Sequence, residues 1–170
     1  PIKLLADGSL GARTGAMDEP YADEPSEYGL INHSEKELKE MILLAHKEGF
    51  PVAVHVIGDR AARLALEGIA LAQEKYPRSD ARHQLVHCQF MNPKMWTQMQ
   101  KLGVAGDIQP RFVSSDWPIV ETRVGAERAR LSYAWKSMLQ QGIHLAGGSD
   151  CPVEPLDPLL GLNAAITRCD

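Results

Sequence analysis

The chain has 170 residues, of which 44% are hydrophobic and 24% charged, with a formal net charge of −4 at pH 7. This composition is typical of one globular domain with a single core. The acidic balance leaves no basic surface for nucleic acid, and no apolar run reaches the ~18 residues of a membrane span. We therefore expect neither a nucleic-acid partner nor a membrane partner.

The cysteines are few and widely spaced, at Cys88, Cys151 and Cys169. Without CxxC spacing they indicate neither a disulfide framework nor a structural zinc knuckle, and they favour a reducing compartment. No signal-peptide pattern precedes the first strand-like residues, so the expected location is cytoplasmic. Because the chain begins with Pro1, we interpret it as a piece of a longer protein.

Five apolar runs predict β-strands, at 1–6, 52–57, 83–88, 104–108 and 143–146. Amphipathic spacing predicts helices from Ser34 to Gly49, from Asp59 to Tyr76, from Asn92 to about Leu102, from about Ala126 to Gln141 and from Asp157 onward. Two long polar stretches, 7–33 and 109–125, are predicted loops. Loops of that length are often functional.

The predicted helices carry clear boundary signals. Ser34 and Glu37 form a capping-box pattern, and Asn92 followed by proline is a typical helix start. Glycines at 49, 103 and 142 each separate a helix from the next strand. The repeated helix–glycine–strand–loop unit predicts an α/β fold with a parallel sheet covered by helices.

Two architectures contain such units. A doubly wound, flavodoxin-like sheet could use five strands, but the first loop, Asp7–Gly15, lacks the phosphate-binding GxGxxG spacing. A (β/α)8 barrel needs eight units and ~250 residues, of which this chain supplies about five.

Polar side chains lie near the ends of several predicted strands. Lys3 is on the first strand, His55 on the second and His87 on the third, and Asp150 directly follows the fifth. In a parallel α/β barrel these ends converge on one mouth, where catalysis occurs. Two histidines and an aspartate make a plausible divalent-metal site, with zinc the expected metal. Lys3 could join as a carbamate, and Asp150 could take a proton from a metal-activated water.

The loops that face this mouth contain two arginines, Arg13 and Arg111, which could hold a substrate carboxylate or carbonyl. Trp117 lies in the second long loop, where it could line a pocket or cover the core. Asp7 and Asp59 are interpreted as caps, with Asp59 as the N-cap of its helix.

The remaining histidines and cysteines receive structural interpretations. His46, on a helix, is expected to be solvated, and His83, which begins its strand, is expected on the opposite side from the mouth. Cys88 and Cys151, which follow ligand candidates, are expected to be small buried thiols.

Four strings, DGSLGARTGAM, HVIGDRA, RHQLVHCQ and GGSDCPVEP, resemble the amidohydrolase superfamily. More narrowly, they resemble the amidohydrolase-3 branch, which includes N-substituted formamide deformylases and exoenzyme-regulatory proteins. The four motifs occur in the family's order over nearly the whole chain.

The resemblance implies a partial TIM (β/α)8 barrel of the metal-dependent hydrolase type, holding one or two divalent metals. It implies that His55 and His87 are the metal ligands carried by barrel strands 5 and 6. Lys3 would correspond to the often carbamylated lysine of strand 4, and Asp150 to the aspartate of strand 8. The implied reaction is hydrolysis of a C–N bond in a small amide or N-substituted formamide, by metal-activated water with Asp150 as the proton shuttle.

The family's His-x-His pair, its first three strands and its β-sandwich have no counterpart in this sequence, and Gly15 replaces the usual alanine. The expected domain is thus residues 1–170 as strands 4 to 8 of the barrel. Such a part exposes sheet edges, so a homo-oligomer is expected. An alternative hypothesis is a catalytically silent regulatory or binding barrel that retains the fold.

Overall fold

The computed structural model describes residues 1–168, so Cys169 lies outside the described residues. Its strands are β1 (Ile2–Leu5), β2 (Val52–Val56), β3 (Gln84–His87), β4 (Ala105–Ile108) and β5 (Leu145–Gly147). Its helices are α1 (Glu35–Lys47), α2 (Asp59–Lys75), α3 (Pro93–Leu102), α4 (Phe112–Ala129), α5 (Trp135–Gln140) and α6 (Pro158–Thr167).

The five strands form one parallel sheet in the order β1-β2-β3-β4-β5. Every strand pairs with the strand that follows it in the chain, from Ile2 opposite Val52 to Ile108 opposite Gly147. A doubly wound sheet reverses its strand order at a switch point, whereas a barrel keeps sequence order. The order therefore confirms the predicted partial barrel and excludes the flavodoxin-like alternative.

One face of the sheet is buried under the helices. Val52, Val54 and Val56 of β2 are fully buried, as are Leu38 and Ile42 of α1. The intervening residues, Ala53 and His55, point to the other face because side chains alternate along a strand. This second face would be the inside of a barrel, and it displays the candidate site residues.

The helices after β4 differ from the prediction. The predicted loop at 109–125 is mostly helical, because α4 begins at Phe112 and continues past Pro118. It is interrupted instead at Gly125, which has a φ of 78°. The predicted helix 126–141 is divided at a turn that includes Tyr133, with a φ of 51°, before α5 begins.

Several structural interpretations are corrected. Gly58, not Asp59, is the N-cap of α2, and Asp59 instead accepts hydrogen bonds from the backbone N–H groups of Asp18 and Arg60, both at 2.9 Å. Cys88 is buried as predicted, but Cys151 is exposed.

α6 is apolar on several faces, and Leu156, Leu159, Leu162 and Ile166 near or on it are 58–81% exposed. Exposed apolar patches of this kind mark interaction surfaces. No helix within residues 1–168 is both long and apolar enough to cross a membrane.

A pair of buried histidines lies at the amino-terminal end of the sheet. The Val52 N–H donates to Nδ1 of His83 at 3.0 Å, so the proton of His83 is on Nε2, which lies 2.8 Å from Nδ1 of His46. Nε2 of His46 then donates to the Tyr76 carbonyl at 2.6 Å. His46 is fully buried, so the prediction that it is solvated is wrong, whereas His83 lies on the side predicted.

This pair should make stability sensitive to acid. Burial, with His46 and Arg78 nearby, lowers the pKa of His83 from 6.5 to about 4. The unfolded chain therefore binds this proton first as the pH falls. The stabilisation is complete above pH 6.5 and is lost as the pH falls toward 4, a change of about 3 kcal/mol in the free energy of unfolding.

Denaturant unfolding of wild type and His83→Gln between pH 7 and 4 tests this prediction. Glutamine can keep both hydrogen bonds but does not titrate. The free energy of unfolding of His83→Gln should therefore fall by about 3 kcal/mol less than that of wild type over this pH range. Parallel pH profiles for the two proteins would contradict the assignment.

Candidate metal-binding site at the carboxyl ends of the strands

The inner face of the sheet brings two imidazole rings together. Nε2 of His87 lies 2.9 Å from Nδ1 of His55, with the rings edge to face and their centroids 4.5 Å apart. Phe112 stacks on the His87 ring, with the ring centroids 5.5 Å apart. Both histidines are therefore held in defined orientations.

Backbone geometry turns His87 toward its partner. Strict alternation along β3 would place His87 on the same face as Leu85, which is fully buried in the core. His87 instead has a φ of 76°, in the left-handed region. Such a conformation costs a non-glycine residue on the order of 1 kcal/mol and is found disproportionately at functional sites.

The hydrogen bond on the outer nitrogen of His55 fixes its tautomer. Nε2 of His55 lies 2.8 Å from the carbonyl oxygen of Gly8, so it must carry the proton. Nδ1 of His55 is then a lone pair directed at His87. A backbone carbonyl that accepts from the second ring nitrogen is a common partner of metal-ligating histidines.

Both rings are neutral at physiological pH. Burial lowers the pKa of His55, although the hydrogen bond to the Gly8 carbonyl opposes this shift. Burial and the nearby His55 lower the pKa of His87 to about 3. A histidine must be neutral to ligate a metal.

The residues present fit half of a metal centre. Two nitrogens bound tetrahedrally to one Zn²⁺ at about 2.0–2.1 Å lie ~3.3 Å apart, so an opening of a few tenths of an ångström would admit the ion between His55 and His87. Within residues 1–168, however, no group of three or more His, Cys, Asp or Glu side chains is close enough to hold a metal. A complete centre therefore needs further ligands.

Lys3 and Asp150 lie within electrostatic range of this pair. Partial burial lowers the pKa of Lys3, whereas Asp107 and Asp150 oppose that shift. The charge of Lys3 lowers the pKa of both histidines, and the charge of Asp150 raises the pKa of His55. Asp150 is exposed and has a φ of 55°. Lys3 and Asp150 are therefore electrostatic neighbours of the histidine pair, and their role as metal ligands stays a prediction.

Asp107, on β4, is a site residue that sequence reasoning missed. Burial raises the pKa of its carboxyl group, Asp150 adds to that shift, and Lys3 opposes it. It accepts a hydrogen bond at 3.3 Å from the side-chain amide of Gln109. The available signal was a charged residue inside a predicted strand, one residue from the apolar Ile108.

Asp7 does more than cap a loop. Its carboxylate accepts backbone N–H bonds from Ile57 at 3.0 Å, from Gly58 at 2.7 Å and from Ala16 at 2.9 Å. It also lies 3.5 Å from Nε2 of His55. Burial raises the pKa of Asp7 to about 7, and the three N–H groups oppose that shift. Asp7 thereby holds the glycine-rich loop against the end of β2.

The two candidate substrate arginines are both engaged by acids. Arg13 makes a bidentate contact with Asp23 at 2.8 and 3.1 Å. Arg111 forms an ion pair with Glu154 at 3.6 Å, and Glu154 also accepts from Ser115 at 2.6 Å. A substrate role for Arg13 and Arg111 stays a prediction.

A cavity of about 390 Å³ opens beside the mouth, between the segments that follow β4 and β5 and the α6 helix. Its walls are mostly apolar, including Pro110, Leu156 and Leu162, and its charged lining residues are Arg111 and Asp157. Neither histidine lines it, so it neighbours the candidate metal site without containing it. Trp117 is 61% exposed and does not line it.

Comparison with known proteins gives consistent matches. The model of a family described as the amidohydrolase family matches residues 1–170. The chain is 43% identical over 168 residues to the putative amidohydrolase YtcJ of Bacillus subtilis, covering 98% of this chain and 31% of the relative. It is 32% identical over 168 residues to the protein LONG AFTER FAR-RED 3 of Arabidopsis thaliana, covering 98% of this chain and 29% of that protein.

Among solved structures, an uncharacterized metal-dependent hydrolase from Pyrococcus furiosus matches with a TM-score of 0.87 and 36% identity. The match covers 97% of this chain and 33% of that one. The chain thus spans about a third of the length of the proteins it resembles.

Proposed function

Because this chain belongs to the amidohydrolase family, we propose that it is part of a metal-dependent hydrolase that acts on C–N bonds. The match to the metal-dependent hydrolase of Pyrococcus furiosus supports this proposal. In it, residues 1–170 supply strands 4 to 8 of the barrel. The exposed apolar residues of α6 then pack against the remainder of the protein.

One observation carries the proposal. Nδ1 of His55 and Nε2 of His87 face each other at 2.9 Å on the inner face of the sheet, in a neutral and oriented pair. Two such nitrogens would hold one divalent metal, with zinc favoured by imidazole ligands. The remaining ligands would come from Lys3, Asp150 and residues outside this chain, for one or two ions.

When bound, a divalent metal polarises a carbonyl group and activates water as a nucleophile. Lys3 would contribute as a carbamate, since its lowered pKa favours the neutral amine that reacts with CO2. Asp150 would accept a proton from the attacking water and deliver it to the leaving nitrogen. Arg13 or Arg111 would orient the amide or N-substituted formamide substrate.

Replacing Asp150 by asparagine tests the proton transfer. In the whole metal-loaded protein, Asp150→Asn should lower kcat by about 10²–10⁴-fold, because asparagine cannot accept the proton. Metal content should fall less than in the histidine variants, since both histidines remain and the asparagine oxygen can still coordinate. The exposed control Asp80→Asn should keep full activity.

The assay is a panel of N-substituted formamides and N-acyl amines, with release of the amine as the readout. Equal kcat for wild type and Asp150→Asn would overturn the role of Asp150. A metal-loaded wild type that hydrolyses no member of the panel would favour the silent barrel.

A further inference from the structure

Two buried polar atoms, one on the histidine pair and one on a neighbouring side chain, lack a hydrogen-bond partner among residues 1–168. They are Nδ1 of His87 and Oε1 of Gln109. His87 is 5% exposed and Gln109 is 4% exposed. Unsatisfied buried polar groups are destabilising and rare in native proteins, so such a pair needs an explanation.

The two side chains are neighbours. His87 ends β3, Gln109 directly follows β4, and the two strands are paired. Gln109 raises the pKa of His87, as a hydrogen-bonding neighbour does, and so opposes the lowering by burial. The two unsatisfied atoms therefore belong to interacting side chains of adjacent strands, and neither atom has a hydrogen-bond partner among residues 1–168.

Asp107 decides which way the Gln109 amide points. Its Oδ1 is 3.3 Å from Nε2 of Gln109. A carboxylate can only accept hydrogen bonds, so the amide nitrogen must face Asp107. The amide oxygen is therefore left for His87, and it can only accept.

The proton position on His87 explains the mismatch. With no cation between the rings, the lone pair on Nδ1 of His55 requires a proton on Nε2 of His87. Nδ1 of His87 is then a lone pair as well, and it cannot bond to the Gln109 oxygen. Moving the proton to Nδ1 would satisfy Gln109 and direct two lone pairs, one from each histidine, at the same point.

We infer that Gln109, oriented by Asp107, is a positioning residue that holds the proton of His87 on Nδ1 and so keeps Nε2 free for the metal. The inference rests on the proposed function, because it needs a cation between the rings. Hydrogen-bonded partners of this kind typically change metal affinity by 10–100-fold.

The test measures zinc affinity of the whole protein by competition with a chromophoric chelator, beside the melting temperature of the metal-free form. Gln109→Met removes both polar atoms at similar volume. Gln109→Glu, made together with Asp107→Asn so that two carboxylates do not face each other, keeps an oxygen that can accept from Nδ1. Gln100→Met, on an exposed position of α3, is the matched control.

We expect Gln109→Met to bind zinc about 10–100-fold more weakly than wild type, with an equal or higher melting temperature in the metal-free form. The double variant should restore most of the affinity, and Gln100→Met should match wild type.

Equal zinc affinity for wild type and Gln109→Met would overturn the inference while leaving the proposed function intact. So would the double variant binding as weakly as Gln109→Met, since an acceptor oxygen would then be irrelevant. A lower melting temperature of metal-free Gln109→Met would indicate a purely structural role and would also contradict it. Wild type that binds no zinc would overturn the proposed function itself.

Discussion

His87→Ala and His55→Ala are each expected to reduce bound zinc from about one or two ions per protein to background. Hydrolysis should fall at least about 10³-fold, because metal stabilisation of the transition state is worth several kcal/mol. The reason is geometric. Each variant removes one of the two nitrogens that face each other at 2.9 Å and leaves the other without a partner.

Elemental analysis of the purified whole proteins measures this result. His144→Ala is the matched control, because His144 is exposed and precedes β5 at the opposite end of the strand. It should retain wild-type metal content. Full metal content in either His55→Ala or His87→Ala would remove that residue from the site.

Asp7→Ala is expected to produce the largest loss of stability, about 3–5 kcal/mol in the free energy of unfolding. The substitution leaves the backbone N–H groups of Ala16, Ile57 and Gly58 buried without an acceptor. The approach is also tight, since a Cβ at Gly58 would lie 1.9 Å from the Ala16 carbonyl oxygen. The loop therefore has little room to find other partners.

Denaturant unfolding gives the measurement. Asp80→Ala is the control because the Asp80 side chain is 76% exposed, and its effect should be within about 0.5 kcal/mol. A change below about 1 kcal/mol for Asp7→Ala would mean that water or other groups replace the carboxylate.

The sheet was predictable because its strands are short buried runs between strong boundary signals. The capping box at Ser34 and Glu37 is present in the structure, as is the asparagine cap of α3. The α4 helix was missed because Pro118 is a typical helix breaker. Tertiary packing of Val113, Val120 and Val124 in the core outweighs that local preference.

His46 was misjudged although the sequence contained the signal. It lies four residues after Ile42, which lies four residues after Leu38, so it continues the buried stripe of α1. Its burial depends on His83 and Tyr76, which are distant in sequence. Spacing on a single helix could not reveal these partners.

Strand position and family motifs were enough to predict Lys3, His55, His87 and Asp150 as site residues, and the structure places the two histidines in contact. Asp107 and Gln109 were not found, because their roles depend on how one amide and one imidazole orient. That orientation follows from contacts between neighbouring strands, at distances of a few ångströms. A pattern of residue types does not encode it directly.

Anomalous diffraction at the metal absorption edge, from crystals of the whole protein loaded with zinc, would locate the metal directly. We expect a metal peak bonded to Nδ1 of His55 and Nε2 of His87, with the two nitrogens ~3.3 Å apart. The Gln109 oxygen should lie within hydrogen-bond distance of Nδ1 of His87. No peak between the two rings, or a peak bonded to neither nitrogen, would mean that this histidine pair is not half of a metal centre.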